Sequence, residues 1–207
     1  MKLNLPNKLT VIRICLVPVI IAVGMLTAIP HLLSCLLCAI LFIGTAVTDM
    51  YDGKIARRDG LITDFGKFLD PVADKFMVIG AMFVILYKFP NLRLAMIVTL
   101  IVVVFRELAV TSMRLVVSTG EGIVIAANSL GKIKTVSQIA FVSTALLEPV
   151  VENIVKYLLK TLAGKDTYLL DGIYPLTWLT MLFTVVMTVW SGLNYIAAYW
   201  KYLDPEK

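Results

Sequence analysis

The chain has 207 residues, of which 59% are apolar and only 16% are charged, and its formal net charge is +5. An average soluble domain is about 45–50% apolar and about 25% charged. Together with the mean hydropathy of +0.90, these figures exclude a disordered chain, a secreted disulfide scaffold and a basic nucleic-acid-binding protein. They indicate an integral protein of the lipid bilayer.

Six apolar stretches are long enough to cross a bilayer as helices, which takes about 20 residues each. They cover roughly residues 11–29, 32–57, 66–88, 93–118, 133–159 and 173–200. Before the first stretch, Pro6 and Asn7 predict a turn and a short interfacial segment. The sequence therefore predicts an all-α polytopic membrane protein with six transmembrane helices, forming a single domain over residues 1–207.

The distribution of basic residues predicts the orientation in the membrane. If the amino terminus is cytoplasmic, 5 of the 19 lysines and arginines lie on the outer side, and the remaining 14 (19 − 5) lie inside. The outer ones are Lys88, Arg93, Lys156, Lys160 and Lys165. Because basic residues concentrate on the cytoplasmic side, we expect both termini to be cytoplasmic.

Acidic residues cluster around the turn between the second and third stretches. Asp49 and Asp52 are three residues apart, and Asp70 and Asp74 are four apart, so each pair shares a helix face. A short turn would place the two helices antiparallel and adjacent. The helical rise then puts Asp49 and Asp74 about 12–13 Å inside their helix ends. The sequence thus predicts that four carboxylates converge inside the cytoplasmic leaflet.

Four carboxylates in such a setting must either be protonated or hold cations. Two divalent cations would balance their formal charge of about −4. Oxygen ligands without histidine or cysteine nearby favour Mg²⁺ or Mn²⁺ over zinc. Solvated turn acids are the alternative, and this suits Asp59 and Asp64. Intramembrane carboxylates are costly and usually functional, so we predict a two-ion site.

The acidic residues also carry a resemblance to a known family. Residues 49–74 follow the spacing D-x-x-D-G-x-x-A-R-x8-G-x3-D-x3-D, which resembles the signature of the CDP-alcohol phosphatidyltransferases. Residues 4–13, 106–114 and 131–135 resemble the branch of that family that makes phosphatidylglycerophosphate. The resemblance extends over most of the chain.

This resemblance implies an enzyme that transfers phosphatidyl from CDP-diacylglycerol to sn-glycerol 3-phosphate and releases CMP. It also implies a homodimer in a bacterial inner membrane, with its active site on the cytoplasmic side. In the family the first three motif aspartates bind metal, and the fourth, Asp74, also acts as general base. The residues that it implies for the CDP-diacylglycerol site are Asn7, Thr10, Gly53, Arg57, Thr63 and Gly66.

A second cluster, which is basic, lies on the same side of the membrane. Arg106 is about 12 Å below the cytoplasmic face, too deep for the snorkelling that would explain Arg114 alone. Glu107 can pair with either arginine. A phosphate-bearing acceptor explains these extra cations. We therefore predict that the phosphate of the acceptor is bound by Arg106, Arg114, Lys132 and Lys134.

Other functions fit the same residues less well. Within the same chemistry, the acceptor can instead be inositol phosphate, serine or a lipid headgroup, although serine leaves the extra cations unexplained. Aromatic prenyltransferases also bind pyrophosphate through intramembrane aspartates, but their spacing differs and they need a second aspartate-rich motif. A cation- or proton-coupled transporter also places acids in its spans, but it has no need of the glycine and Ala-Arg positions in the motif.

Overall fold

The computed structural model describes residues 4–58, 63–120, 129–163 and 172–200. Within these ranges it contains six helices and no strand. They are α1 (Leu5–Met25), α2 (His31–Arg58), α3 (Asp64–Lys88), α4 (Arg93–Gly120), α5 (Ser129–Ala163) and α6 (Pro175–Tyr199). A 3-10 turn over Pro90–Leu92 joins α3 to α4. The predicted all-α architecture is confirmed.

The outward faces of the helices suit a lipid environment. By length and composition, five of the helices can cross a membrane, namely α1, α2, α4, α5 and α6. On α4, for example, Ile101, Phe105 and Leu108 are 63%, 70% and 64% exposed. Contiguous apolar surface of this kind is stable when lipid covers it. The protein is therefore a polytopic membrane protein.

Helix α3 has a different composition from the other five. It is 25 residues long, but its first half carries charged residues that include Asp70, Asp74 and Lys75. These three side chains line a partly open cavity, so the charged residues in this half of α3 gather at one place. Its assignment as a sixth membrane span stays a prediction.

The turn expected at Pro6 and Asn7 is wrong, because both residues lie in the first turn of α1. Asn4 caps this helix, and its side chain accepts a hydrogen bond from Asn7 N at 3.1 Å. Proline suits the first turn, where its missing N–H would have no helical partner. From Leu5 onward, the segment expected to lie at the interface is part of the same helix as the first span.

Helix α1 packs against both α2 and α3, which contact each other at only a few residues. The expected direct packing of α2 on α3 is therefore wrong for most of their length. The reason is the close fit of α1: a methyl group added at Gly80 on α3 would come within 2.6 Å of Val17 Cγ1 on α1. The turn predicted around Asp59 and Gly60 lies outside the described residues.

The apolar core fills one half of the bundle, and polar groups lie in the other half. It is centred on the first half of α2 and the second half of α3, where Phe42, Met82 and Ile85 are completely buried. Cys35 and Cys38 lie in this core as free thiols. The opposite halves of α2 and α3 carry Asp49, Asp70 and Asp74, and the candidate site is there.

Candidate active site

A cavity of about 600 Å³ brings the acidic and basic clusters together. Helices α2 and α3 contribute three carboxylates to its lining, and α4 and α5 contribute four cations. These residues are Asp49, Asp70, Asp74, Arg106, Arg114, Lys132 and Lys134. Two sets of side chains that the sequence predicted separately therefore share one site.

A buried arginine from α1 joins two of the carboxylates. Arg13 Nη1 lies 2.6 Å from Asp49 Oδ1 and 3.7 Å from Asp74 Oδ1, and the Arg13 side chain is only 2% exposed. The guanidinium thus compensates charge on α2 and α3 at once. From the sequence, Arg13 was only one of the 14 basic residues expected on the cytoplasmic side (19 − 5). A lone arginine just inside an apolar run was the available signal.

The same face of α1 reaches the third carboxylate. Thr10 Oγ1 donates a hydrogen bond to Asp70 Oδ1 at 2.7 Å, and Thr10 is 2% exposed. Thr10 and Arg13 are three residues apart and so share a helix face. Thr10, which was predicted to bind the nucleotide, is therefore beside a predicted metal ligand.

Three more predicted nucleotide residues meet at the start of α3. Asn7 Nδ2 and Gly66 N both donate hydrogen bonds to Thr63 Oγ1, at 2.9 Å and 3.1 Å. Thr63 is the N-cap of α3. A methyl group at Gly66 would lie 2.8 Å from Asn7 Oδ1, so a larger residue here would displace the Asn7 side chain. The cluster lies one helical turn from Asp70.

The remaining predicted residues of the motif lie on the last turns of α2. Asp52, Gly53 and Arg57 are helical, but their side-chain placement is outside the described part of the structure. Helical spacing still puts Asp52 one turn beyond Asp49.

At the basic end of the cavity, Glu107 holds two of the cations. Its Oε1 accepts hydrogen bonds from Arg106 Nη1 at 3.2 Å and from Lys134 Nζ. Glu107 and Lys134 are 8% and 5% exposed. The expected pairing of Glu107 with an arginine is confirmed for Arg106, whereas the contact with Lys134 was not foreseen.

The two arginines retain donors for which the described residues offer no acceptor. Arg106 Nε and Arg114 Nε are both buried, and neither has a hydrogen-bond partner in the described ranges. A buried donor left in this state costs free energy. Among the described residues at this end, four cations accompany one carboxylate, Glu107, and two of these cations retain a donor, so the site suits an anion.

Helix α6 contributes two contacts that sequence analysis missed. Arg106 Nη2 donates to Ser191 Oγ at 2.6 Å, and Arg114 Nη2 donates to Tyr195 Oη at 2.8 Å. A serine inside an apolar helix and a tyrosine near its end are ordinary features of membrane spans. They carried no signal that these residues belong to the site.

By chemical type, the carboxylates are suitable ligands for hard divalent cations. Asp49, Asp70 and Asp74 line the same cavity, and carboxylate oxygens are the ligands that Mg²⁺ and Mn²⁺ prefer. In the described ranges, no three acidic, histidine or cysteine side chains are close enough to form a metal-binding group. The motif adds Asp52, whose side chain lies outside those ranges.

Comparisons with known proteins identify the family of the chain. Residues 3–190 match the CDP-alcohol phosphatidyltransferase family. The chain is 41% identical to CDP-diacylglycerol–glycerol-3-phosphate 3-phosphatidyltransferase of Bacillus subtilis (strain 168), with 97% of each chain covered. It is 30% identical to the Yersinia enterocolitica protein of the same name, also over 97% of each. A Pectobacterium atrosepticum protein, again of that name, is 34% identical over 74% of this chain and 84% of its own length. The chain therefore belongs to the CDP-alcohol phosphatidyltransferase family.

Proposed function

We propose that this enzyme transfers phosphatidyl from CDP-diacylglycerol to sn-glycerol 3-phosphate, forming phosphatidylglycerophosphate and CMP. The observation that carries the proposal is the single cavity in which carboxylates of α2 and α3 meet four cations of α4 and α5. The relatives described above are named for this reaction.

The basic end of the cavity suits the phosphate of the acceptor. A phosphate monoester carries nearly two negative charges at neutral pH, and arginine donors match its oxygens. Arg106, Arg114 and Lys134 would bind it, with Lys132 at the cavity edge. Glycerol or serine would bring no phosphate oxygens to the buried Nε donors that Arg106 and Arg114 retain, which disfavours both substrates.

The acidic end suits the pyrophosphate of CDP-diacylglycerol. Asp49, Asp70 and Asp74, with Asp52 added on the motif alone, would hold two Mg²⁺ or Mn²⁺ ions, which when bound neutralise charge on the pyrophosphate. Nearby, Asn7, Thr63 and Gly66 would border the nucleotide. Gly53 and Arg57 join them through the motif.

Asp74 is the proposed general base. It would accept the proton of the acceptor hydroxyl while the acceptor oxygen bonds to the β-phosphorus, and CMP would leave with the electrons of the broken P–O bond. Arg13 lies 3.7 Å from Asp74 Oδ1, which supports a fixed orientation of this carboxylate. Glycerol 3-phosphate has a hydroxyl at one end and phosphate at the other, and Asp74 and the two arginines line the same cavity, so its two ends would meet the two groups.

We also propose that the cavity opens in the cytoplasmic half of a bacterial inner membrane. In the predicted six-span topology, 14 of the 19 basic residues (19 − 5) lie on the side of the membrane that carries the motif. The positive-inside rule makes this the cytoplasmic side. The homodimer implied by the family resemblance stays a prediction.

The test is an acceptor panel with the purified protein. With CDP-diacylglycerol and Mg²⁺ supplied, CMP release would be followed with glycerol 3-phosphate, glycerol, serine and inositol phosphate. We expect phosphatidylglycerophosphate as the product, and kcat/KM for glycerol and serine at least about 100-fold lower. Equal use of glycerol or serine, or preferred use of inositol phosphate, would refute the proposed acceptor.

A further inference from the structure

Helix α6 has no charged residue, yet its inner face contacts both arginines of the basic cluster. Ser191, Gly192 and Tyr195 are buried on this face, and their spacing of three and four residues places them side by side. The position of both guanidinium groups therefore depends on a helix that supplies no cation of its own.

Tyr195 is the residue that the two arginines share. It is 3% exposed, and Arg106 Cζ and Arg114 Cζ lie 5.7 Å and 5.1 Å from the centroid of its ring. Its hydroxyl also accepts the hydrogen bond from Arg114 Nη2 at 2.8 Å. An aromatic face attracts cations, more strongly where water is excluded. One side chain thus stabilises two guanidinium groups that otherwise repel each other.

Two neighbours of Tyr195 on α6 contact Arg106: Gly192 lies against its aliphatic part, and Ser191 binds its guanidinium group. Arg106 Nη2 donates to Ser191 Oγ at 2.6 Å. A methyl group at Gly192 would lie 3.1 Å from Arg106 Cγ, so the arginine stem runs close against the backbone of α6. This close approach brings the Arg106 guanidinium to the Tyr195 ring.

We propose that Tyr195 is the positioning residue of the acceptor phosphate site, holding Arg106 and Arg114 so that both meet one phosphate monoester. This inference rests on the proposed function. Tyr195 contacts the two arginines, whereas Thr10, Arg13 and the aspartates form the other end of the cavity. Loss of Tyr195 should therefore weaken acceptor binding and leave the CDP-diacylglycerol site intact.

The experiment compares Tyr195→Phe and Tyr195→Leu with wild-type enzyme in steady-state kinetics. Tyr195→Phe keeps the ring and removes the acceptor of the Arg114 hydrogen bond, so KM for glycerol 3-phosphate should rise about three- to tenfold. Tyr195→Leu also removes the ring, and KM should rise about 30-fold or more. We expect KM for CDP-diacylglycerol and kcat at saturating acceptor to stay within about twofold.

One control variant and two further measurements separate positioning from general packing. Trp190→Leu removes an aromatic ring from the lipid-facing side of the same helix, where Trp190 is 58% exposed, and should leave both KM values unchanged. Ser191→Ala removes the acceptor for Arg106 and should raise the acceptor KM as Tyr195→Phe does. Inorganic phosphate would be tested as a competitive inhibitor against glycerol 3-phosphate. It should bind less tightly to the Tyr195 and Ser191 variants and equally well to Trp190→Leu.

The inference is overturned if Tyr195→Phe and Ser191→Ala both leave the acceptor KM unchanged. It is equally overturned if either variant raises the KM of both substrates by the same factor. These two variants decide the matter if Tyr195→Leu does not fold. Failure of the wild-type enzyme to use glycerol 3-phosphate would instead refute the proposed function, so the two failures are distinguishable.

Discussion

Among single residues, Arg13 is the one on which the acidic cluster most depends. It is the buried cation between Asp49 and Asp74, and it comes from a helix outside the motif. Without it, carboxylates on two helices would face each other across a partly desolvated cavity. Removing one partner of such a group leaves charge uncompensated, which costs more than the pair contributes.

Arg13→Met should therefore destabilise the protein and lower its activity. Because Asp49 and Asp74 side chains are 38% and 45% exposed, we expect a loss of about 1–3 kcal/mol, less than for a fully buried pair. Thermal unfolding in chelator measures this, and added Mg²⁺ should restore part of the loss. Arg93→Met, at the exposed start of α4, is the matched control. Equal unfolding temperatures for both variants would contradict the account.

Asp70→Asn should lower kcat by at least about 100-fold, because a neutral amide is a poor replacement for a carboxylate ligand. The amide oxygen can still accept the hydrogen bond from Thr10, so the local fold should survive. Chelation of divalent cations should abolish wild-type CMP release, and Mg²⁺ or Mn²⁺ should restore it. Asp64→Asn, in the first turn of α3 and outside the cavity lining, is the control. Turnover near wild type in Asp70→Asn would exclude the metal-ligand role.

Asp74→Asn should separate binding from transfer. Loss of a general base costs about 10²- to 10⁴-fold in rate, whereas CDP-diacylglycerol should still bind appreciably. Single-turnover CMP release together with a binding measurement distinguishes the two effects.

The wild-type reaction should proceed by direct displacement. Exchange of labelled CMP into CDP-diacylglycerol without acceptor would show a covalent intermediate instead.

Local spacing predicts the residues of this site only where they share a helix face. The aspartates at three- and four-residue intervals were predictable in this way, whereas Glu107 was predictable only as the neighbour of Arg106 in the chain. Arg114 and Tyr195, by contrast, are 81 residues apart in the chain. Their contact depends on how α4 packs against α6, and helical spacing within one segment carries no information about that.

Among the helices, α6 depends on α5 for the capping of its first turn. Its N-cap residue, Tyr174, has a left-handed backbone (φ 45°) and provides no side-chain cap. Glu148 on α5 takes that role, accepting from Leu176 N at 2.9 Å and from Thr177 N at 2.7 Å. A carboxylate at a helix amino terminus satisfies free N–H groups and the helix dipole together.

Glu148→Gln should lower stability without changing substrate specificity. The amide keeps one acceptor oxygen but loses the charge and the second acceptor, so we expect a cost of about 1–2 kcal/mol. Glu152→Gln, one turn further along α5, loses only an i,i+4 pair with Lys156 and should cost about 0.5 kcal/mol or less. Thermal unfolding compares the two variants. A larger loss in Glu152→Gln would contradict the capping role.

The helices extend beyond the apolar stretches from which they were predicted. The sequence placed α1 from about residue 11 and α5 over about 133–159, whereas the helices span Leu5–Met25 and Ser129–Ala163. Apolar runs report the part that faces lipid. Backbone hydrogen bonding continues past that part wherever a cap or polar side chains allow it, as Asn4 does for α1.

In the molecule as a whole, two charge clusters of opposite sign line one cavity. The sequence indicated that both lie on the cytoplasmic side at similar depth. It could not show that α1 packs against both α2 and α3, or that α6 contacts the arginines. Apolar helix faces can pack in many combinations, so composition does not select one. The shared cavity is what makes transfer between a pyrophosphate donor and a phosphate-bearing acceptor geometrically reasonable.

The most direct test of this arrangement is the effect of Arg106→Ala on the two Michaelis constants. Charged hydrogen bonds contribute about 1.5–3 kcal/mol, so KM for glycerol 3-phosphate should rise about 10- to 100-fold, while KM for CDP-diacylglycerol changes less than about threefold. Arg93→Ala should change neither. If Arg106→Ala raises both constants equally, the basic cluster is not the acceptor site and the central claim is wrong.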